Sequence, residues 1–143
     1  EVQTAPGGGL PQWAASVKKA LRKGRAAEPS EVAESTASCD MVRVAAGFDL
    51  HGPDAKPGMF CWNFGFAGEE VHRVLWHILP EGSVGCIPIE PLGPKTREAL
   101  KGRDGKTHTW EWDGNLDKPT LKPSVHLIGR WHGWFRHGQM KGK

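Results

Sequence analysis

The sequence predicts a mainly β fold: a small antiparallel sheet or sandwich-like module, preceded by an extended arm and one amphipathic helix. Three observations carry that prediction. The chain of 143 residues holds 19 Gly and 11 Pro, and these punctuate short apolar runs in the manner of strands joined by turns. Only one stretch, near the N-terminus, repeats its apolar residues at helical spacing. Four of the seven tryptophans fall between residues 110 and 134, interleaved with Gly, Pro and His. Tryptophan buries more surface than other side chains, so this segment is expected to supply much of the core.

Residues 1–10, which include Gly7-Gly8-Gly9, show no periodicity and read as an extended arm. Over residues 11–23 the apolar Trp13, Val17, Ala20 and Leu21 recur at helical spacing, with Lys18, Lys19, Arg22 and Lys23 on much of the remaining face. Pro11 suits the first turn of a helix and Gly24 its end. Trp13, Val17, Lys18, Leu21 and Arg22 are therefore the candidate partner-binding residues. The same face could instead dock on the chain's own core, on nucleic acid or on a membrane surface. Residues 26–38 are poor in bulky apolar side chains and read as a linker, with room for one short helix after Ser30. The chain is thus expected to divide into an arm, helix and linker over 1–38 and a β-rich module over 39–143.

Within the module, strands are expected over 41–48, 59–66, 71–79 and 84–89, with Pro80-Glu81-Gly82 as a hairpin turn. Residues 93–103 are polar and can hold a short helix. Further strands are expected over 107–112, 121–128 and 131–136, with His137-Gly138 as a final turn. Asp113-Gly114-Asn115 supplies turn residues. Pro119 and Pro123 cannot donate to a ladder and so mark an edge or a loop entering a strand. Gly133, between two tryptophans, allows close backbone packing.

The net charge of +3 is unevenly placed. Lys18, Lys19, Arg22, Lys23 and Arg25 face only Glu1 in residues 1–25, and Arg130, Arg136, Lys141 and Lys143 close the chain without an acid. Basic ends on an acidic body suit an acidic protein surface or nucleic acid. No apolar run approaches the 18 residues or so that span a membrane. Three cysteines, Cys39, Cys61 and Cys86, are too few and too scattered for a disulfide scaffold, which favours a reducing compartment.

The chemistry-bearing side chains make no familiar spacing. Cys61 has no second Cys three positions on, and the weak metal candidates are Cys61, His72 and His132. His72 and His77 are five apart on one expected strand, so alternation sends them to opposite faces. Ser83 and Ser124 lie beside apolar runs without a Gly-x-Ser-x-Gly elbow. A thiol–imidazole pair of Cys61 with His72 or His132 is a further candidate, although a Cys in an apolar run is commonly an inert core residue. Trp131 and Trp134 beside Arg130 and Arg136 fit a base-stacking platform as well as they fit a core.

The tail Trp110-x-Trp112-Asp113-Gly114-Asn115, then Lys118-Pro119-Thr120-Leu121-x-Pro123-Ser124, then Trp131-His132-Gly133 and Gly138 resembles a family of small uncharacterised proteins of tailed bacteriophages and prophages. The likeness covers residues 58–140 and is strongest from Trp110. Relatives carry Cys-x-x-Cys followed by His, where this chain has Cys61-Trp62-Asn63-Phe64 and then His72. They also carry a Cys near the Trp-His-Gly segment, where this chain has Arg130 and Trp131. The resemblance therefore implies a zinc site lost here, and no cofactor is expected. Together with the arm and the basic helix, it leads to the expectation of a non-enzymatic virion protein, a decoration, cement or minor capsid protein. Its expected partners are the major capsid protein, other virion proteins or a second copy, with assembly in the host cytoplasm. A small metal- or nucleic-acid-binding accessory protein of the infected cell is the alternative, and an enzyme using Cys61 or His132 ranks third.

Overall fold

Alternation of side chains across two facing sheets builds the molecule, whose computed structural model describes residues 33–143. Strands β1 (Cys39–Asp40) and β2 (Val42–Arg43) come first, followed by β3 (Met59–Ala67), β4 (Glu70–Ile78) and β5 (Val84–Ile89). A short helix α1 (Pro94–Ala99) leads to β6 (Glu111–Trp112), β7 (Leu121–Lys122), β8 (Val125–Leu127), β9 (Trp131–Arg136) and β10 (Gln139–Gly142). One sheet has the order β2-β3-β4-β5, with β2 parallel to β3 and the other pairs antiparallel. The second has the order β1-β10-β9-β8 and is antiparallel throughout. Strands β6 and β7 form a small ribbon. The mainly β expectation therefore holds. The expected amphipathic helix and its residues Trp13, Val17, Lys18, Leu21 and Arg22 lie outside the described residues.

The inward residues of both sheets make one core. Phe60, Trp62, Leu75 and Ile87 from the first sheet meet Val125, Trp131, Phe135 and Met140 from the second, with Leu121 from the ribbon. Trp131, Phe135 and Met140 are wholly buried, and each such side chain stabilises the fold by about 1.5–3 kcal/mol relative to exposure. Every buried indole needs a partner for its N–H. Trp131 Nε1 donates to the Ala37 carbonyl at 2.9 Å and Trp62 Nε1 to the Leu116 carbonyl at 2.9 Å. A smaller cluster of Leu50, Cys61, Ile78 and Val84 packs on the other face of the first sheet.

The apolar runs of β3, β4, β5 and β9 match the expectation, and the rest differ for identifiable reasons. The run 41–48 keeps only Val42–Arg43 as strand, because the chain turns where the Phe48 N–H donates to the Ala45 carbonyl. Of 107–112 only Glu111–Trp112 form a strand, while Trp110 makes an isolated parallel bridge to Ile89. The run 121–128 breaks into β7 and β8 at Pro123, which has no N–H for a ladder. At 80–82 the hairpin turn forms, its Gly82 N–H donating to the Leu79 carbonyl at 2.8 Å. The turn at His137-Gly138 also forms, both residues having positive φ (49° and 75°), as a two-residue hairpin requires. It leads into β10, a strand with a single apolar residue, Met140, and for that reason not expected. Residues of the expected linker pack on the second sheet: the Ser35 N–H donates to the Arg130 carbonyl and the Gly142 N–H to Ser38 Oγ.

Candidate active site

Strands β8 and β9 form a tight hairpin whose inward residues are Val125, Trp131, Gly133 and Phe135. Alternation sends the residues between them to the other face: Ser124 and His126 on one strand, His132 and Trp134 on the next. In the register, His126 stands directly opposite His132. Ser124 is therefore the diagonal neighbour of His132, close enough for side chains to meet. Ser124 Oγ lies 3.1 Å from His132 Nε2. With the ring proton on Nδ1, Nε2 accepts the serine hydroxyl. Gly133 makes the approach of β9 to β10 possible, because a Cβ there would run into the Lys141 carbonyl and the Trp131 ring.

A second layer surrounds the pair. The imidazoles of His126 and His132 stack at 4.2 Å with 18° between their planes. Glu34 Oε2 receives His126 Nε2 at 2.8 Å and the Gly129 N–H at 3.0 Å. These bonds hold the Glu34 carboxyl below its usual range, the His126 contact contributing most and the Gly129 amide next. Partial burial lowers the pKa of His132, and the neighbouring His126 and Lys143 lower it further, against an opposing effect of Glu34. A depressed pKa keeps the ring neutral near pH 7, the form that can accept a proton.

The backbone of Ser124 is tied down as well: Trp110 Nε1 donates to its carbonyl at 3.3 Å. An open groove begins at Ser124, lined among others by Lys122, Trp134, Arg136 and His137. The Arg136 guanidinium lies 4.8 Å above the Trp134 ring, giving the groove a cation on an aromatic floor.

Of the metal candidates only His132 reaches a cluster of polar side chains. Cys61 pairs with Trp76 and His72 with Gly65. These positions are four residues apart along β3, roughly 13 Å at the usual strand rise. Cys61 is buried in the smaller apolar cluster, and burial pushes its thiol up, away from the reactive thiolate. Burial also raises Cys86, to about 11. His72 and His77 are both buried, His72 over Gly65 and His77 over Gly85. Sequence reasoning missed Ser124, His126 and Glu34 as site residues. Ser124-x-His126 and His132-x-Trp134, read as same-face pairs on two strands of one hairpin, would have found the first two. Glu34 carries no such signal, since its place depends on how residues 34–38 cross the second sheet.

A serine hydroxyl bonded to an imidazole on an accessible sheet face is the pairing that serine hydrolases use. Consistent with that class, the family model described as "Bacterial ubiquitination-like system serine protease (BubE)" matches residues 91–142. The matched part runs from the residues before α1 through β10 and contains both Ser124 and His132, but not Glu34. Comparison with curated proteins and with solved structures gave no match. The family match overturns the expectation of a non-enzymatic virion protein, whether decoration, cement or minor capsid, and points to a protease instead. That expectation treated Ser124 as inert because it lacks a Gly-x-Ser-x-Gly elbow. The structure instead places Ser124 against His132 across the hairpin. The capsid partners and virion location followed from the virion role alone. Among the described residues, no helix is long and apolar enough to cross a membrane.

Proposed function

We propose that this chain is a serine protease of a bacterial ubiquitination-like system, with Ser124 as nucleophile and His132 as general base. One observation carries the reading: the 3.1 Å contact of Ser124 Oγ with His132 Nε2, both inside the residues that match the protease family. Ser124 Oγ attacks the carbonyl carbon of the scissile amide while His132 Nε2 takes the hydroxyl proton. The imidazolium then gives that proton to the leaving amine as the carbon–nitrogen bond breaks. Water repeats the sequence on the acyl-enzyme, with His132 again taking and returning the proton.

The surrounding residues support these roles. The lowered pKa of His132 keeps the base in its accepting form. The Trp110 bond fixes the strand from which the nucleophile projects. A peptide entering the adjacent groove meets the Trp134 ring and the cations Lys122 and Arg136, a surface suited to an extended chain bearing negative charge.

Labelling with a fluorophosphonate probe tests the proposal. The full chain should form one adduct, mapped by peptide mass to Ser124, and the Ser124→Ala variant should form none. A probe that fails to label the folded wild-type protein, or labels a different residue, would overturn it.

A further inference from the structure

We propose that Glu34, His126 and His132 form a divalent zinc site, and that zinc bound there switches Ser124 off by taking His132 away from it. The switching part rests on the serine protease reading; the binding part does not. One ring nitrogen each of His126 and His132 and one carboxylate oxygen of Glu34 lie within 4.8 Å of one another. Two imidazoles and one carboxylate form a common ligand set for zinc, at bond lengths of roughly 2.0–2.2 Å, with a fourth position left for water. Ligand atoms on one tetrahedral zinc are roughly 3.3 Å apart at those bond lengths. Closing the site requires the two rings to turn out of their stack, so that their in-plane lone pairs converge with the carboxylate on one ion.

The placement is built by the fold. His126 and His132 are directly opposed in the ladder, so their backbones keep the two rings side by side on one face. Glu34 arrives from a distant segment and is oriented by the Gly129 N–H, which leaves its carboxylate aimed at the rings. Such an outer bond is what usually fixes a metal-ligating carboxylate. All three side chains are partly open to solvent, so an ion has a path in: His126 is 41 % exposed and Glu34 33 % exposed at the side chain. No other group of this kind occurs among the described residues.

Zinc and the Ser124 hydroxyl compete for His132. Nε2 is the nitrogen that faces Ser124, and an imidazole nitrogen that donates its lone pair to a metal can no longer accept a proton. Zinc bound through that same Nε2 therefore excludes proton transfer from Ser124.

Zinc titration of the full-length chain, followed by calorimetry and native mass spectrometry, tests the site. The wild type should bind one zinc per chain, and Glu34→Ala and His126→Ala should each weaken binding at least tenfold. Wild-type affinity in both variants, or no zinc bound by the wild type, overturns the site. Fluorophosphonate labelling with and without zinc tests the switch. Zinc should slow labelling of the wild type at least tenfold and reversibly on chelation, while the ratio of the two rates should stay near one in His126→Ala. Zinc that binds without slowing the wild-type reaction refutes the switch and leaves the site standing. A wild type that binds zinc but never labels refutes the protease reading instead.

Discussion

Ser124 and His132 meet diagonally across the β8–β9 hairpin, Oγ to Nε2 at 3.1 Å, with Trp131 and Phe135 locking the same strand from its other face. The core thus fixes the geometry of the pair: His132 lies between Trp131 and Gly133, and neither of those can shift without opening the interior. Removal of the base is expected to cost activity without costing the fold. His132 is half-buried and lies outside the core cluster, on the outer face with His126 and Trp134, so His132→Ala should leave the unfolding midpoint nearly unchanged. Its rate of probe labelling should fall by about 10²–10⁴, the usual worth of a general base. Steady labelling kinetics on the variant check this, and a loss below about threefold would sink the role assigned to His132.

Gly133 tests the packing that holds the pair. A methyl group there meets the Lys141 carbonyl and the Trp131 ring, both fixed by the second sheet. Gly133→Ala is expected to destabilise the protein by about 1–3 kcal/mol, the usual cost of overpacking, and to reduce labelling with it. Chemical denaturation measures the first effect; an unchanged midpoint would mean that the two strands can separate at no cost.

These two residues also show how far the sequence could be read. Strands β3, β4 and β5 were legible because each is an apolar-rich run with Gly or Pro marking its ends. The core role of Trp131 was legible from the size of its side chain, and the close approach at Gly133 from its place between two tryptophans. Strand β10 was not, since a run such as Gln139-Met140-Lys141-Gly142 owes its pairing to the hairpin before it rather than to its own propensity. The Ser124–His132 pair was half legible: alternation fixes the face, but register decides which residues on that face become neighbours. Glu34 was not legible at all, being placed by a contact some ninety positions away in sequence, with His126.

Acid should weaken the fold through His77. Its ring is wholly enclosed, packed edge-on to Phe135 at 5.2 Å, and burial drives its pKa from 6.5 down to about 4. The unfolded chain therefore takes up a proton near pH 6.5 that the native state refuses until about pH 4. Stability is full above pH 6.5 and declines as pH falls through that window, at roughly 1.4 kcal/mol per pH unit for one proton. His77→Phe, which cannot titrate, should show a shallower decline between pH 6.5 and 4. Urea midpoints across this range compare the two proteins, and parallel curves would rule out His77 as the source.

Trp110 offers a separate test of positioning. Its indole N–H holds the Ser124 carbonyl at 3.3 Å from the neighbouring ribbon, while the rest of the ring packs on the core. Trp110→Phe keeps most of the ring packing and removes only the donor, so the stability loss should stay near the worth of one hydrogen bond, about 1 kcal/mol. Labelling should slow more than that loss of folded protein explains, by about 3- to 30-fold, because a nucleophile displaced by a fraction of an ångström leaves its attack geometry. The comparison that decides is labelling of Trp110→Phe against wild type under conditions where both are fully folded. Equal rates there would show that the hairpin alone sets the serine, and that the indole bond serves the fold rather than the reaction.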